Sequence, residues 1–166
     1  MKKVLWYILT FISCFVVGML TRVLAERIPI YGIHAALAAF PISFLLVLCF
    51  RRTADKSVWI QIIPVLLFGL FLGMMSPVMA FYNIGAAVLA AVLTYVVKRD
   101  KSSVLAFSYA FFSYPLVFLG GKLFSKTPPV FSPVQVLAVM ALTALLSFLG
   151  TMTATSIVTR KPDQSY

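Results

Sequence analysis

No charged residue occurs in the segment 58–97. A helix crosses the roughly 30 Å hydrocarbon core of a bilayer with about 20 apolar residues, so this segment is about twice as long as one membrane span. Ser76-Pro77 and Tyr82-Asn83 interrupt it near the middle. Because proline ends or kinks a helix and asparagine often caps the start of one, we predict a hairpin of two membrane helices with residues 77–83 as its turn and Asn83 as the N-cap.

The composition extends this interpretation to the whole chain. Of its 166 residues, 62% are hydrophobic and 11% are charged, and the mean hydropathy is +1.04. A soluble domain averages about 45–50% apolar and about 25% charged residues, so a water-soluble fold of this length could not bury so much apolar surface. The composition therefore predicts one integral membrane domain, residues 1–166, in the cell membrane.

Charges and turn residues divide the sequence into six apolar runs, and each run is predicted to be one membrane helix. The predicted spans are about 4–24, 33–50, 58–80, 84–97, 104–124 and 134–159. The predicted fold class is accordingly all-α, a multi-pass bundle of six transmembrane helices.

Basic residues near the ends of the runs predict the orientation. If the N-terminus is cytoplasmic, ten of the fourteen Lys and Arg residues lie inside. The four outer ones are Arg22, Arg27, Lys122 and Lys126. Since inner loops carry an excess of Lys and Arg, both termini are predicted to be cytoplasmic. Membrane topology thus accounts for the formal net charge of +10 without a nucleic-acid partner.

The N-terminal segment has a second interpretation. Its two lysines, the apolar run and the ending Val23-Leu24-Ala25 resemble a secretory signal peptide cleaved after Ala25, which would leave five spans. Arg22 beside the cleavage point and the length of the run argue against cleavage. An imperfect lipoprotein motif at residues 11–14 is weaker still.

Residue types that carry catalysis are scarce in the apolar runs. The acidic residues lie at span ends, in loops or in the tail, and they are Glu26, Asp55, Asp100 and Asp163. A single histidine, His34, cannot form a metal site alone. The sequence has no HExxH, GxSxG or Walker motif. We therefore expect neither an enzyme nor a bound metal or cofactor.

Small and hydroxylated residues predict close helix packing. Gly69 and Gly73 are four residues apart, and a hydroxyl stripe in the last run combines Thr143, Ser147, Thr151 and Thr155. Membrane helices associate through such residues, because lipid tails are as apolar as the side chains and burying apolar surface between helices therefore gains little free energy. The outer loops add aromatic residues and prolines with few charges, a mixture found in small-molecule pockets and also in interfacial anchors.

This architecture resembles the substrate-binding S components of energy-coupling factor (ECF) transporters, which take up vitamins in prokaryotes. The local resemblance lies in GLFLGMMSPVMAFYNIGAAVLAAVLTYVVKR, residues 69–99, and in LLSFLGTMTATSIVTRK, residues 145–161. It implies a subunit that binds a small vitamin-like molecule at the outer face. ATP-driven uptake would then require a transmembrane coupling subunit with two ATP-binding subunits, contacted through small residues of the first span, here Ser13 and Gly18.

The resemblance also implies a substrate site built by the later spans and the outer loops. On this sequence it points to Arg27, His34, Tyr82, Asn83, Tyr109, Tyr114 and Lys122. The excess of outer basic residues over the one outer acid, Glu26, favours an anionic substrate. Two alternatives stay open: a small structural or assembly membrane protein without a ligand, and a carrier that works alone.

Overall fold

The computed structural model describes residues 2–53, 57–74, 76–97, 101–125 and 132–159. These residues form six α-helices and contain no strand. The helices are α1 (Lys2–Ala25), α2 (Ile33–Thr53), α3 (Val58–Gly73), α4 (Pro77–Val96), α5 (Lys101–Phe124) and α6 (Pro133–Thr159). The prediction of an all-α fold is confirmed for the described residues.

Five helices are long and apolar enough to cross a membrane, namely α1, α2, α4, α5 and α6. The exception is α3, which has 16 residues and is therefore about 24 Å long. Large apolar side chains such as Leu5, Trp59 and Phe148 are exposed on the outside of the bundle. This surface is compatible with a membrane protein.

The hairpin in the uncharged segment is present, but its turn lies earlier than predicted. Since α3 ends at Gly73 and α4 begins at Pro77, residues 77–83 form the first two turns of α4. Ser76 is the N-cap in an extended conformation (φ −160°, ψ 132°). Pro77 follows in the first turn, where a missing N–H costs nothing and the fixed φ suits the helix. The prediction that Asn83 caps this helix is wrong, because Asn83 is buried inside it.

The centre of the bundle is formed by α2 and α5, which bury the largest share of their residues. The helix pairs α4–α5 and α2–α6 make the most extensive contacts, and α3 packs on α4. In contrast, α1 packs mainly on α2 and is the least buried of the long helices. One flank of α1 therefore remains available to border a cavity.

Small residues form the closest helix contacts, as the sequence predicts. Ala86, Ala87, Ala90 and Ala91 on α4 are almost completely buried in the main core. On α6 the hydroxyl stripe is buried except for Thr155, which is half-buried. All four hydroxyls donate to the carbonyl oxygen four residues earlier, at 2.7–2.8 Å. The stripe thus packs inside the bundle without unpaired hydroxyls.

Candidate ligand-binding site

Two cavities lie at the end of the bundle where α1 ends and α2 and α4 begin. The first, here called the inner cavity, has a volume of about 70 Å³ and is enclosed by α1, α2, α4 and α5. The second, the open cleft, has a volume of about 390 Å³ and lies beside the α1–α2 loop. Arg22, His34, Met79 and Tyr82 line both cavities. We call these four residues the junction, because they border both spaces.

A buried hydrogen bond between α4 and α5 forms part of the inner-cavity wall. The Tyr109 hydroxyl donates to Asn83 Oδ1 at 2.5 Å, and Asn83 Nδ2 donates to the Met79 carbonyl oxygen at 2.9 Å. Tyr109 and Asn83 are 5% and 2% exposed. Asn83 therefore connects two helices at the cavity, a role that needs it within α4 rather than at its start.

Two further hydroxyls of the inner wall, those of Thr21 and Ser113, are used within their own helices. Thr21 Oγ1 donates to the Val17 carbonyl oxygen at 2.9 Å, and Ser113 Oγ donates to that of Tyr109 at 2.8 Å. The α2 side of the wall consists of alanines 35, 38 and 39. The wall is consequently apolar towards any molecule inside, although it contains several polar residues.

Two polar side chains of the junction, those of Arg22 and His34, form no hydrogen bond of this kind among the described residues. Arg22 lies in the last turn of α1, and its side chain is exposed. The His34 and Tyr82 rings meet edge to face, with centroids 6.4 Å apart and planes at 64°. Within the described ranges, neither the Arg22 guanidinium nor the His34 imidazole has a hydrogen-bond or salt-bridge partner.

The α1–α2 loop is held against α5, and this contact positions His34. Gly32 has φ +72°, a conformation that favours glycine, and a Cβ there would lie 2.9 Å from Val117 Cγ1 and 3.4 Å from Tyr114 Cε2. The adjacent Tyr31 packs on Gly121, where any side chain would overlap its ring and hydroxyl. Burial in this contact raises the pKa of the Tyr31 phenol above its ordinary value.

Four of the seven predicted site residues meet at the inner cavity: His34, Tyr82, Asn83 and Tyr109. Tyr114 does not line either cavity. It is fully buried beneath the α1–α2 loop, and its hydroxyl has no hydrogen-bond partner among the described residues.

Arg27 and Lys122, the two predicted basic site residues, also lie outside both cavity linings. Arg27 is exposed in the α1–α2 loop. Lys122 is exposed on α5, with its Nζ 4.9 Å from the centre of the Phe118 ring on the same helix. These two residues are therefore separate from the group that surrounds the inner cavity.

Arg22 is the site residue that the sequence interpretation missed, since it entered only the count of outer charges and the argument against cleavage. Its position in the sequence could have identified it as a candidate site residue. It precedes Ala25 within the apolar run, and an ionisable residue inside a membrane span is a candidate for function. The structure places it where both cavities meet.

The described residues contain no group of three or more His, Cys, Asp or Glu side chains that could hold a metal ion. Cys14 and Cys49 are buried, and neither forms a disulfide bond within the described residues.

No protein-family model matches the chain, and comparisons with curated proteins and with solved structures found no match. What the protein does must therefore be argued from the two cavities and the residues around them.

Proposed function

We propose that this chain is a membrane-embedded substrate-specificity subunit that binds a small vitamin-like molecule at the outer face of the cell membrane. Uptake would be driven by ATP through a transmembrane coupling subunit and two ATP-binding subunits. The single observation that carries the proposal is the pair of adjacent cavities at one end of the bundle, which share four lining residues.

The dimensions of the cavities suit a small molecule. Ligand pockets in proteins typically measure about 300–1,000 Å³, a range that includes the open cleft of about 390 Å³. The inner cavity of about 70 Å³ has room for about five waters, at roughly 10–15 Å³ for each. A ligand would thus occupy the cleft with its larger part and extend one group inward.

The charge distribution favours dependence on partner subunits. Transporters that use proton gradients carry acidic residues within their membrane spans. Here all four acidic residues lie at span ends, in loops or in the tail, and the sequence has no nucleotide-binding motif. The energy for uptake would then have to come from another subunit.

The peripheral position of α1 supports the same interpretation. It packs mainly on α2 and leaves large apolar residues exposed, including Ile8, Ile12 and Val16. A coupling subunit in the membrane would need such an accessible helix. Gly18, however, borders the inner cavity, so this small residue of α1 is assigned to ligand space rather than to docking.

The experiment that tests the proposal is mass spectrometry of the gently purified protein under native and then denaturing conditions. We expect one small molecule per chain, together with a membrane subunit and ATP-binding subunits. A ligand-free protein, alone or with cell-envelope partners, would contradict the proposal.

That contrary result would favour a structural or assembly role. The feature consistent with this alternative is the close packing of small residues on α4 and α6. Such packing stabilises a bundle whether or not it binds a ligand.

A further inference from the structure

The chemistry of the junction indicates which class of molecule the cavities accept. Of the described residues that line the inner cavity, Arg22 alone carries a full charge at neutral pH. An unpaired guanidinium near the apolar interior is unfavourable, so Arg residues in membrane spans usually pair or face water. Arg22 faces the open cleft without a partner in the described ranges.

The acid closest in sequence does not neutralise this charge. Glu26 also lines the open cleft and lies one helical turn after Arg22. Among the described residues, however, no salt bridge joins the Arg22 and Glu26 side chains. A guanidinium presents parallel N–H donors that match both oxygens of a carboxylate, or those of a phosphate. The His34 imidazole, on the adjacent helix end, offers one further N–H donor in its neutral form.

The inner cavity, in contrast to the junction, favours an apolar group of the ligand. The Thr21 and Ser113 hydroxyls of its wall donate to carbonyl oxygens of their own helices, and the Tyr109 hydroxyl donates to Asn83. A polar group placed there would lose its hydration without gaining equivalent hydrogen bonds. The cavity volume of about 70 Å³ is about half that of an apolar cavity of about 150 Å³ that accepts benzene, so a short apolar chain or part of a ring would fit.

We propose that the ligand is a small amphiphilic anion, with an anionic group bound by Arg22 beside His34 and an apolar ring or short chain in the inner cavity. This inference rests on the proposed function, because it names the chemical class that the same cavities would bind. The anionic group is either a carboxylate of a free small molecule or the phosphate of a lipid headgroup. The experiment below distinguishes these sources.

The test compares 3-phenylpropionate with 3-phenylpropanol, which share a carbon skeleton and differ in the charged group. Binding is measured by calorimetry on the full-length protein in phosphatidylcholine nanodiscs, for wild type, Arg22→Gln and Arg27→Gln. Arg27→Gln is the matched control, since Arg27 is a nearby exposed arginine outside both cavity linings. Size-exclusion profiles and circular dichroism verify that the variants fold.

We expect wild type to bind the carboxylate at least about tenfold more tightly than the alcohol, because hydrogen bonds to charged groups contribute this much. Arg22→Gln should remove the preference by weakening the carboxylate alone, and Arg27→Gln should retain it. Replacing part of the phosphatidylcholine by phosphatidylglycerol identifies the source. Competition by this lipid in wild type but not in Arg22→Gln supports a headgroup, and its absence supports a free carboxylate.

Three results would overturn the inference: equal affinity for the two probes, a preference that survives in Arg22→Gln, or no binding of the carboxylate to wild type. Mass spectrometry separates this failure from failure of the proposed function. A retained neutral or cationic molecule overturns the anion inference and leaves the function standing. An absence of any retained molecule, together with no binding of either probe, contradicts both.

Discussion

Asn83 lies where α4, α5 and the inner cavity meet, and its amide is shared between two helices. It accepts a hydrogen bond from Tyr109 and donates one to a carbonyl of its own helix. Hydrogen bonds between membrane helices typically contribute about 0.6 kcal/mol and at most about 1.7 kcal/mol. At the scale of single residues, this pair should therefore affect stability as well as the shape of the cavity.

The first prediction concerns this pair. Asn83→Leu and Tyr109→Phe should each lower the free energy of unfolding by about 1 kcal/mol. The first leaves the buried Tyr109 hydroxyl without its acceptor, and the second removes the Tyr109 donor from Asn83 Oδ1. The double variant should lose less than the two single losses combined. Unfolding by detergent titration measures all three, with Tyr95→Phe, exposed on α4, as a neutral control. Strictly additive losses would show that the two side chains are not coupled.

The second prediction uses Gly18, which borders the inner cavity and has no neighbouring atom within 4 Å of where a Cβ would lie. Gly18→Leu should fill the cavity and weaken binding of the native ligand at least about tenfold, while stability changes by less than about 0.5 kcal/mol. Val16→Leu, on an exposed part of the same helix, provides the control. Unchanged affinity in the Gly18 variant would place the ligand elsewhere.

At the scale of elements, the contact between α2 and α6 depends on one glycine. A Cβ at Gly150 would overlap the Ser43 hydroxyl and the Phe40 carbonyl oxygen. Since backbone atoms cannot rotate away as side chains do, α6 would have to shift outward. This closeness explains why the hydroxyl stripe of α6 can be buried against α2.

The third prediction follows from this contact. Gly150→Ala should lower the free energy of unfolding by about 1–3 kcal/mol, the usual cost of overpacking. Gly18→Ala is the matched control, because its added methyl group meets open space and an alanine restricts the unfolded chain. The two variants are compared by the same detergent titration. Equal free energies of unfolding for the two variants would mean that α2 and α6 can move apart without loss of stability.

The position of α4 shows what hydropathy alone could not predict at this scale. The uncharged segment predicts two helices correctly, but both Ser76-Pro77 and Asn83 are compatible with a turn. Proline is disfavoured inside a helix and favoured at its first turn, so its presence alone does not distinguish an end from a start. The N-cap at Ser76 and the hydrogen bond of Asn83 to α5 resolve the ambiguity.

At the scale of the whole molecule, five of the eight Lys and Arg residues that the structure describes lie at one end, and the other three, Arg22, Arg27 and Lys122, lie towards the α1–α2 loop. The Arg52 guanidinium lies 5.9 Å from the centre of the Trp6 ring, where α2 ends beside the start of α1. Both cavities lie towards the opposite end, near the α1–α2 loop. The excess of basic residues away from the cavities favours the orientation in which they open to the outside.

The fourth prediction tests this orientation. In a variant whose two cysteines are replaced by alanine, Ile28→Cys and Ser125→Cys should react with a membrane-impermeant maleimide added to intact cells. Val97→Cys, beyond the other end of α4, should react only after the membrane is permeabilised. The reverse pattern would invert the proposed topology and place the cavities at the cytoplasmic face.

The sequence by itself determined the helical class, the apolar surface and the hairpin, because hydropathy and charge are properties of each stretch of chain and need no knowledge of its neighbours. Only the tertiary structure decided that Asn83 pairs with Tyr109, and that Arg22 reaches both cavities while Lys122 lies apart. These facts depend on how each helix is rotated about its axis and which helix it meets. In a bundle whose helices are almost uniformly apolar, small residues and close contacts determine that rotation. The hydropathy of the sequence therefore contains little information about it.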